Sequence, residues 1–332
     1  MSAPLRALRK VIATNAWETE VEEIYVADEL SSGPDGRMKV GVILPQAEDD
    51  GQILRYSELR DTALRAEAAG LDSVWVFDHL LFRFPDQPTA GIWEVWTVLS
   101  ALAEATTRVE LGTLVMCVPF RHPALLAKMA VTVDEVSGGR FILGLGAGWH
   151  QPEFDAFGMP FDHKVDRFEE ALKIITPLLR EGKVDYRGTH YAAPQCELRP
   201  RGPRDSGPPV LVASFKLRML RLTAQYADSW NTAWLGTDMT QLSERRRNMD
   251  AACAEVGRDS STVTVTVGVR VEYPKPDEMS TSGDYISGSP EQVAAALRAY
   301  EEAGVSHLIC ACSPNKAESY EQLGEALRIL RV

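Results

Sequence analysis

Asp78 and His79 stand side by side at the end of the apolar run Ser73 to Phe77. A carboxylate next to an imidazole can fix the orientation of the ring and tune its affinity for a proton, which suits general acid–base chemistry near neutral pH. The same dipeptide also fits an Asp that caps the following helix beside a structural His. The pair is therefore a candidate for catalysis that the local sequence alone does not decide.

Alternating glycines occupy the stretch Gly144-Leu145-Gly146-Ala147-Gly148, which Trp149 follows. Glycine lets a backbone approach a ligand closely, and exposed amides can bind an anion or the carbonyl-rich edge of a ring. The spacing is GxGxG rather than GxGxxG, and no strand-ending acidic residue follows about 20 positions later, so a dinucleotide fingerprint is not supported. A tight turn between a strand and a helix explains the glycines equally well.

Ser214 and Lys216 follow a further apolar run and precede a helical pattern. Free amides at a helix start, a hydroxyl and an ammonium group together form a plausible phosphate site. A Ser-capped helix with a solvated Lys would have the same sequence. Trp230, at the end of the next run, could belong to the core or form the wall of a ring-binding pocket, and both interpretations stay open.

The six histidines have no recognisable metal-ligand spacing, and the sequence contains no HExxH motif, P-loop or GxSxG elbow. We therefore predict no catalytic metal, and a barrel metallohydrolase is a disfavoured alternative from another functional class. Five scattered cysteines form no CxxC pair, which is typical of reduced thiols in the cytoplasm.

Eight apolar, strand-like runs alternate with helical periodicity, and glycines follow the helices. This order predicts an α/β protein with a (β/α)8 TIM barrel from Met38 to Val332. Two insertion loops interrupt it, at 182–208 with a hairpin around Tyr186 to Thr189, and at 272–288. The strand-like runs are Val40–Leu44, Ser73–Phe77, Val109–Met116, Arg140–Leu145, Pro209–Ala213, Asp228–Asn231, Val263–Val271 and His307–Ala311.

Residues 1–37 have a different pattern and are predicted to form an N-terminal extension, which could be flexible. The chain has 332 residues and a formal net charge of −12, which disfavours nucleic-acid binding. It has no apolar run near the 18 residues that a membrane span needs and no signal-peptide pattern, so we expect a soluble cytoplasmic protein without membrane partners.

The order and spacing of several segments resemble the luciferase-like monooxygenase superfamily of flavin and deazaflavin enzymes. Within that superfamily, the Asp78-His79 pair after the second strand resembles the pair found in the branch that uses the deazaflavin coenzyme F420. The segments that carry the resemblance are Lys39–Pro45, Ala69–His79, Arg108–Thr113, Gly138–Trp149, Glu153, Phe157–Gly158, Arg167–Glu170, Ala227–Asn231 and Ile286–Pro290.

The resemblance implies an F420-dependent oxidoreductase that transfers a hydride to or from a small organic substrate. Asp78 and His79 would lie at the cofactor, near its reactive carbon, and His79 would donate or accept a proton, assisted by Asp78. The implied cofactor contacts are a bulge with a cis peptide at Leu114-Val115 and Met116 beside it, a ring pocket at Gly146, Ala147, Gly148 and Trp149, a phosphate site at Ala213, Ser214, Phe215 and Lys216, and Trp230 below the ring.

Two alternatives follow from the same resemblance. The first is a monooxygenase that uses reduced FMN and oxygen, and the second is a non-catalytic relative that binds a flavin only as a ligand. A homodimer is also implied by the resemblance. Some relatives place a Glu just after the first strand, where this chain has only Gln46 or Glu48.

Overall fold

Eight parallel strands form a closed barrel in the computed structural model, which describes residues 36–49, 51–273 and 285–332. The last strand pairs with the first, and the fourth pairs with the fifth, so the sheet has no open edge. The strands are β1 (Lys39–Ile43), β2 (Ser73–Val76), β3 (Glu110–Thr113), β4 (Phe141–Gly146), β5 (Val210–Ala213), β6 (Ser229–Leu235), β7 (Thr264–Glu272) and β8 (His307–Ser313). The predicted (β/α)8 barrel is confirmed.

Helices surround the barrel and bury their apolar faces against the outer surface of the strands. Ser289 and Gln292 form a capping box at the start of the helix Pro290–Glu302. The helices are α1 (Tyr56–Ala68), α2 (Val95–Ala105), α3 (Pro123–Ser137), α4 (Gln151–Phe157), α5 (Lys164–Glu181), α6 (Leu217–Tyr226), α7 (Met239–Val256), α8 (Pro290–Glu302) and α9 (Ala317–Leu330). None of these described helices combines the length and apolarity of a membrane span.

Trp75 fills the middle of the barrel lumen, where it packs with Ile43, Ile142 and neighbouring aliphatic side chains. The close packing requires glycine on the adjacent strand, since a Cβ at Gly112 would lie 2.1 Å from the indole ring. The lumen is therefore a packed core and not a channel, so any ligand must bind at its ends.

Polar side chains close the N-terminal end of the lumen. His307 is buried, and its Nε2 lies 2.7 Å from the Ser73 hydroxyl, which also accepts a hydrogen bond from the Trp75 indole at 2.7 Å. The Ser73 hydroxyl can accept from Trp75 and still donate its own proton to Nε2 of a neutral His307 ring. Lys39 and Glu110 form an ion pair of 3.0 Å at the same end.

Short insertions cluster at the opposite, C-terminal end. Leu81–Phe82 pairs with Ala90–Gly91, and Met116–Cys117 adds a short strand beside β4. A further insertion, between α5 and β5, is the predicted hairpin, which is confirmed as Lys183–Arg187 paired with Ala192–Glu197. Of the other predicted insertion, 274–284 lie outside the described residues, as do 1–35 of the predicted N-terminal extension.

Candidate active site

A cavity of about 500 Å³ opens at the C-terminal ends of the barrel strands. Active sites of (β/α)8 enzymes form at this end, where the loops after the strands converge. The wall is mainly apolar, and its few polar groups are His79, Asn231 and Asn315. The complete lining is Ile43, Phe77, His79, Phe82, Leu114, Val115, Trp149, Ala213, Phe215, Asn231, Ala233, Trp234, Ala311 and Asn315.

The backbone that leads from β2 to His79 is fixed by the buried side chain of Gln46. Its amide oxygen accepts a hydrogen bond from the Phe77 N–H at 2.8 Å, and its amide nitrogen donates to the Phe77 carbonyl at 2.9 Å. Gln46 thus serves as a bridge between the first two strand ends, with no part in proton transfer. Glu48, the other position considered for an acid, accepts a hydrogen bond from the Gly91 N–H.

His79 is paired with Glu153, a buried residue in the first turn of α4. Nδ1 of His79 lies 2.8 Å from one Glu153 carboxylate oxygen, and the other oxygen accepts the Leu80 N–H at 2.8 Å. The carboxylate therefore orients the ring and keeps the proton on Nδ1. The second ring nitrogen, Nε2, has no hydrogen-bond partner among the described residues and can exchange a proton with a ligand in the cavity.

Asp78 does not assist His79 as the sequence suggested. It is buried with Arg121, which it meets through two contacts of 2.5 and 3.1 Å, and it also accepts the Cys117 N–H at 2.9 Å. Burial acts to lower the pKa of Arg121, but the carboxylates of Asp78 and Glu94 raise it overall. Adjacent residues after a strand point in opposite directions, so Asp78 faces the protein while His79 faces the cavity.

An aromatic wall, formed by Phe82, Phe84, Trp149 and His150, stands beside His79. The Phe82 and Phe84 rings stack at 6.0 Å, Phe84 and Trp149 stack at 6.5 Å, and His79 meets Trp149 edge-on at 5.5 Å. His150 accepts the Arg83 N–H through Nε2, and burial lowers the pKa of this imidazole. His150 is thus a neutral structural partner, and the wall presents flat apolar surfaces toward the mouth.

The bulge after β3 has the shape that the resemblance implied. The Leu114-Val115 peptide is cis, and both side chains line the cavity. Met116 instead points into the main core, where it is fully buried. Gly146 lies behind Val115, since a Cβ there would come within 2.5 Å of that side chain.

Of the predicted ring pocket at residues 146–149, only Trp149 lines the cavity. The Gly148 carbonyl accepts a hydrogen bond from Lys164 at 3.4 Å, and Ala147 packs against the main core. The glycines Gly146 and Gly148 therefore permit close packing behind the wall. Neither glycine is part of the cavity lining, in contrast to the expected direct contact with the cofactor.

The residues at the end of β5 lie in two different environments. Ala213 and Phe215 line the cavity, whereas the Ser214 hydroxyl is buried and hydrogen-bonded to Thr223 at 2.8 Å. Lys216 occupies the N-cap of α6 without a side-chain cap hydrogen bond. The Ser214 hydroxyl is therefore not available to a phosphate, and the predicted phosphate site stays a prediction that depends on the start of α6 and Lys216.

The side chain of Trp230 points away from the barrel lumen, toward the surrounding helices, and so does not lie below a ring in the cavity as expected. Its side chain packs among Leu220 of α6 and Met249 of α7, and its indole N–H donates to the Ser214 carbonyl at 3.1 Å. Side chains alternate along a strand, so it is the next residue, Asn231, that faces the cavity. The same alternation in β6 places Ala233 in the cavity lining.

The sequence profile of the luciferase-like monooxygenase family matches residues 38–279. This chain belongs to that family. Among curated relatives of this luciferase-like protein, a pyrimidine monooxygenase RutA from Rhizobium rhizogenes is 30% identical over 250 residues, which cover 68% of this chain and 65% of the relative. An F420-dependent glucose-6-phosphate dehydrogenase from Kineococcus radiotolerans is 28% identical over 303 residues, covering 76% of this chain and 86% of the relative.

A solved F420-dependent secondary alcohol dehydrogenase, in complex with an F420-acetone adduct, superimposes on this luciferase-like chain with a TM-score of 0.75. It is 19% identical, and the match covers 89% of this chain and 100% of that chain. At that identity the likeness shows the shared fold. Family membership makes this protein an enzyme of the luciferase-like oxidoreductase and monooxygenase class.

Proposed function

We propose that this protein is a coenzyme F420-dependent oxidoreductase that transfers a hydride between the deazaflavin and a small organic substrate with an alcohol or carbonyl group. The observation that carries the proposal is His79, whose Nδ1 is held by Glu153 and whose Nε2 is free to meet a ligand in an apolar cavity. His79 is the one acid–base group in the described lining of the cavity, so no other lining side chain competes with it for the substrate proton.

The described residues fit a planar cofactor with a phosphorylated chain. Leu114, Val115 and Ala311 provide apolar surface inside the cavity. Nearby, the uncapped start of α6 leaves free amides beside Lys216, and the positive charge of Lys216 helps to lower the pKa of Lys164, after the larger effect of burial. Free helix amides next to two lysines are a suitable anion site. When bound, a deazaflavin supplies or accepts a pair of electrons as hydride.

His79 would complete the reaction by moving the proton. Reduction of a carbonyl adds a hydride to carbon and a proton to oxygen, and oxidation of an alcohol removes both. Protonated His79 can donate from Nε2 to the developing alkoxide, and neutral His79 can accept the hydroxyl proton in the reverse direction. Glu153 stabilises the charged ring in either direction, because it lies on the opposite nitrogen.

The second candidate is a monooxygenase that uses reduced FMN and oxygen. It is favoured by the identity of 30% to a RutA pyrimidine monooxygenase. The apolar cavity and its aromatic wall would also exclude water from a reactive oxygen adduct. Because both cofactors present a similar tricyclic ring and a phosphate, the lining residues suit either, and binding must separate them.

The deciding experiment is a parallel titration of the full chain with F420 and FMN, each oxidised and reduced, followed by fluorescence and calorimetry. We expect tight binding of F420 and weak binding of FMN. An assay of alcohols, aldehydes and unsaturated carbonyls should then show substrate-dependent loss or gain of the deazaflavin absorbance. Preferential binding of reduced FMN, with oxygen uptake, would reject this proposal in favour of the monooxygenase.

We also propose that the protein is a homodimer, as the family resemblance implies. Light scattering on the purified full chain measures the mass in solution directly. A mass equal to a single 36.7 kDa chain would contradict it.

A further inference from the structure

His163, Asp166 and His190 form a cluster on the protein surface, outside the lining of the active-site cavity. One potential metal-binding atom from each residue lies within 4.8 Å of the other two. His163 precedes α5, Asp166 lies in the first turn of that helix, and His190 lies in the turn of the Lys183–Glu197 hairpin. Two sequence-distant elements therefore bring two imidazoles and a carboxylate to one point.

The separations approach those of a metal site without major rearrangement. His163 Nδ1 and Asp166 Oδ2 are 3.2 Å apart, and the two imidazole ring centres are 5.5 Å apart with a tilt of 33°. Ligands at about 2.1 Å from a tetrahedral zinc ion are ~3.4 Å apart. The pair from α5 already meets this spacing, and His190 needs only a side-chain adjustment.

The backbones that carry the three side chains are held in place by other contacts. Glu170 of α5 accepts hydrogen bonds from the backbone N–H groups of Thr189, His190 and Tyr191, at 2.8, 2.9 and 3.0 Å. The hairpin turn is thus attached to α5 next to the cluster. His163 has a left-handed backbone with φ of 49°, and its carbonyl accepts the Arg167 N–H.

Arg218 of α6 orients the carboxylate. It lies 2.7 Å from Oδ1 of Asp166 and leaves Oδ2, the oxygen near His163, facing the cluster. A charged group that holds the non-coordinating oxygen is a common arrangement behind a metal ligand. The cluster therefore combines a pre-oriented carboxylate with two imidazoles.

We propose that this cluster binds one divalent transition-metal ion such as Zn²⁺, Ni²⁺ or Cu²⁺. Imidazole is a favoured ligand for these ions, and a mixed imidazole–carboxylate set suits zinc. The ion would take the place of the proton between His163 and Asp166, and water would complete the coordination. It would link the hairpin to α5 and stabilise both, without any contact with the substrate cavity.

The test uses the full chain without a polyhistidine tag. Zn²⁺ is titrated by calorimetry, and thermal unfolding is followed with and without the ion. We expect one Zn²⁺ per chain and a higher melting temperature with zinc. His190→Ala and Asp166→Asn should each weaken binding at least ~10-fold, since loss even of outer-shell partners costs 10 to 100-fold. His163→Asn, a residue that tolerates the left-handed backbone, should do the same.

His122→Asn is the matched control. His122 also contacts the hairpin, through the Ala192 carbonyl, and it caps α3, a role that Asn can keep. Zinc binding should be unchanged in this variant. If the three cluster variants bind zinc as tightly as the unmodified chain, or if the unmodified chain binds none, the proposal is wrong.

Cobalt tests the ligand type independently of folding. Co²⁺ at this site should show weak visible bands and no near-ultraviolet thiolate band. A strong thiolate band that disappears in Cys196→Ser would place the metal at the part-exposed Cys196 of the hairpin and overturn the assignment. Circular dichroism of each variant without metal confirms that the fold is retained.

Discussion

The two ends of the barrel each hold a histidine in a hydrogen-bonded network, and the two networks differ in what they leave free. At the N-terminal end His307 is completely enclosed, and burial followed by the nearby Lys39 charge lowers its pKa to about 3. At the C-terminal end His79 has a carboxylate on one nitrogen and a cavity beside it. Only the second ring is equipped to exchange protons with a ligand.

The difference comes from the partner of each ring. Ser73 is a neutral hydroxyl, which satisfies one nitrogen of His307 without stabilising a charge, so protonation inside the core would be costly. Glu153 is a carboxylate, which stabilises a charge on His79 as it forms. The same residue type thus serves stability at one end and is suited to chemistry at the other.

The largest effect is expected at His79. His79→Gln should lower kcat with the preferred cofactor by about 10² to 10⁴-fold, because it removes the group that exchanges the proton. Chemical denaturation should show a modest loss of about 1 to 3 kcal/mol, because the substitution also removes the Nδ1 hydrogen bond to the buried Glu153 carboxylate. The comparison fails if the variant keeps its activity or if it loses stability in proportion to activity.

Glu153→Gln separates positioning from catalysis. The amide preserves the shape of the side chain but cannot stabilise a charged ring, so kcat should fall less than in His79→Gln while KM changes little. Equal losses in kcat and in cofactor affinity would instead indicate that Glu153 acts on the binding site as a whole.

Asp78 stands next to His79 in sequence but belongs with the buried structural groups. Arg121→Met leaves the Asp78 carboxylate buried without its partner and should cost about 3 to 5 kcal/mol of unfolding free energy, measured in urea. Asp78→Asn should lower stability as well, with kcat per folded molecule nearly unchanged. A stable Asp78→Asn variant that had lost 100-fold in kcat would return Asp78 to the catalytic machinery.

Because His307 is buried in its neutral form, we expect the protein to lose stability in mild acid. Its pKa is about 3 in the folded state and about 6.5 in the unfolded chain, so below pH 6.5 the unfolded state binds a proton that the folded state does not. Its stabilising effect is complete above pH 6.5 and declines as the pH falls toward 3. Between pH 6.5 and 4.5 we expect a loss of about 2 to 3 kcal/mol.

His307→Gln is the control for this pH effect. Its unfolding free energy should be lower at pH 7 but should change less between pH 6.5 and 4.5, where most carboxylates stay ionised. Parallel pH profiles of the two proteins would show that His307 does not set the acid sensitivity. The contrast between the two ends of the barrel would then lose its physical basis.

The barrel could be predicted from the sequence because its signal is local and repeated. Each strand is a short apolar run, and helix ends such as Gly138 and Gly182 adopt the left-handed backbone that glycine favours. Position in the chain then places His79 after β2 at the C-terminal end. Fold class and the general location of the site follow from these patterns alone.

The partners of the site residues could not be predicted in this way. His79 and Glu153 are 74 positions apart, and their contact depends on where α4 docks. Asp78 was the nearer candidate in sequence, yet alternation turns it toward Arg121. The run that ends at Asn231 gave no sign that β6 continues to Leu235, so the orientation of Trp230 stayed open.

The smallest effect is expected at the rim of the aromatic wall. Phe84 is 41% exposed and stacks on Phe82 and Trp149, so Phe84→Ala should cost little stability. If the wall holds a flat substrate, kcat/KM should fall about 2 to 10-fold, the range of 0.5 to 1.5 kcal/mol for an aromatic pair. Phe157→Ala, at a 51% exposed Phe that is not part of the aromatic wall, is the matched control and should change neither value. Equal effects in both variants would mean that the loss reflects general surface disturbance, because only one of these rings belongs to the wall.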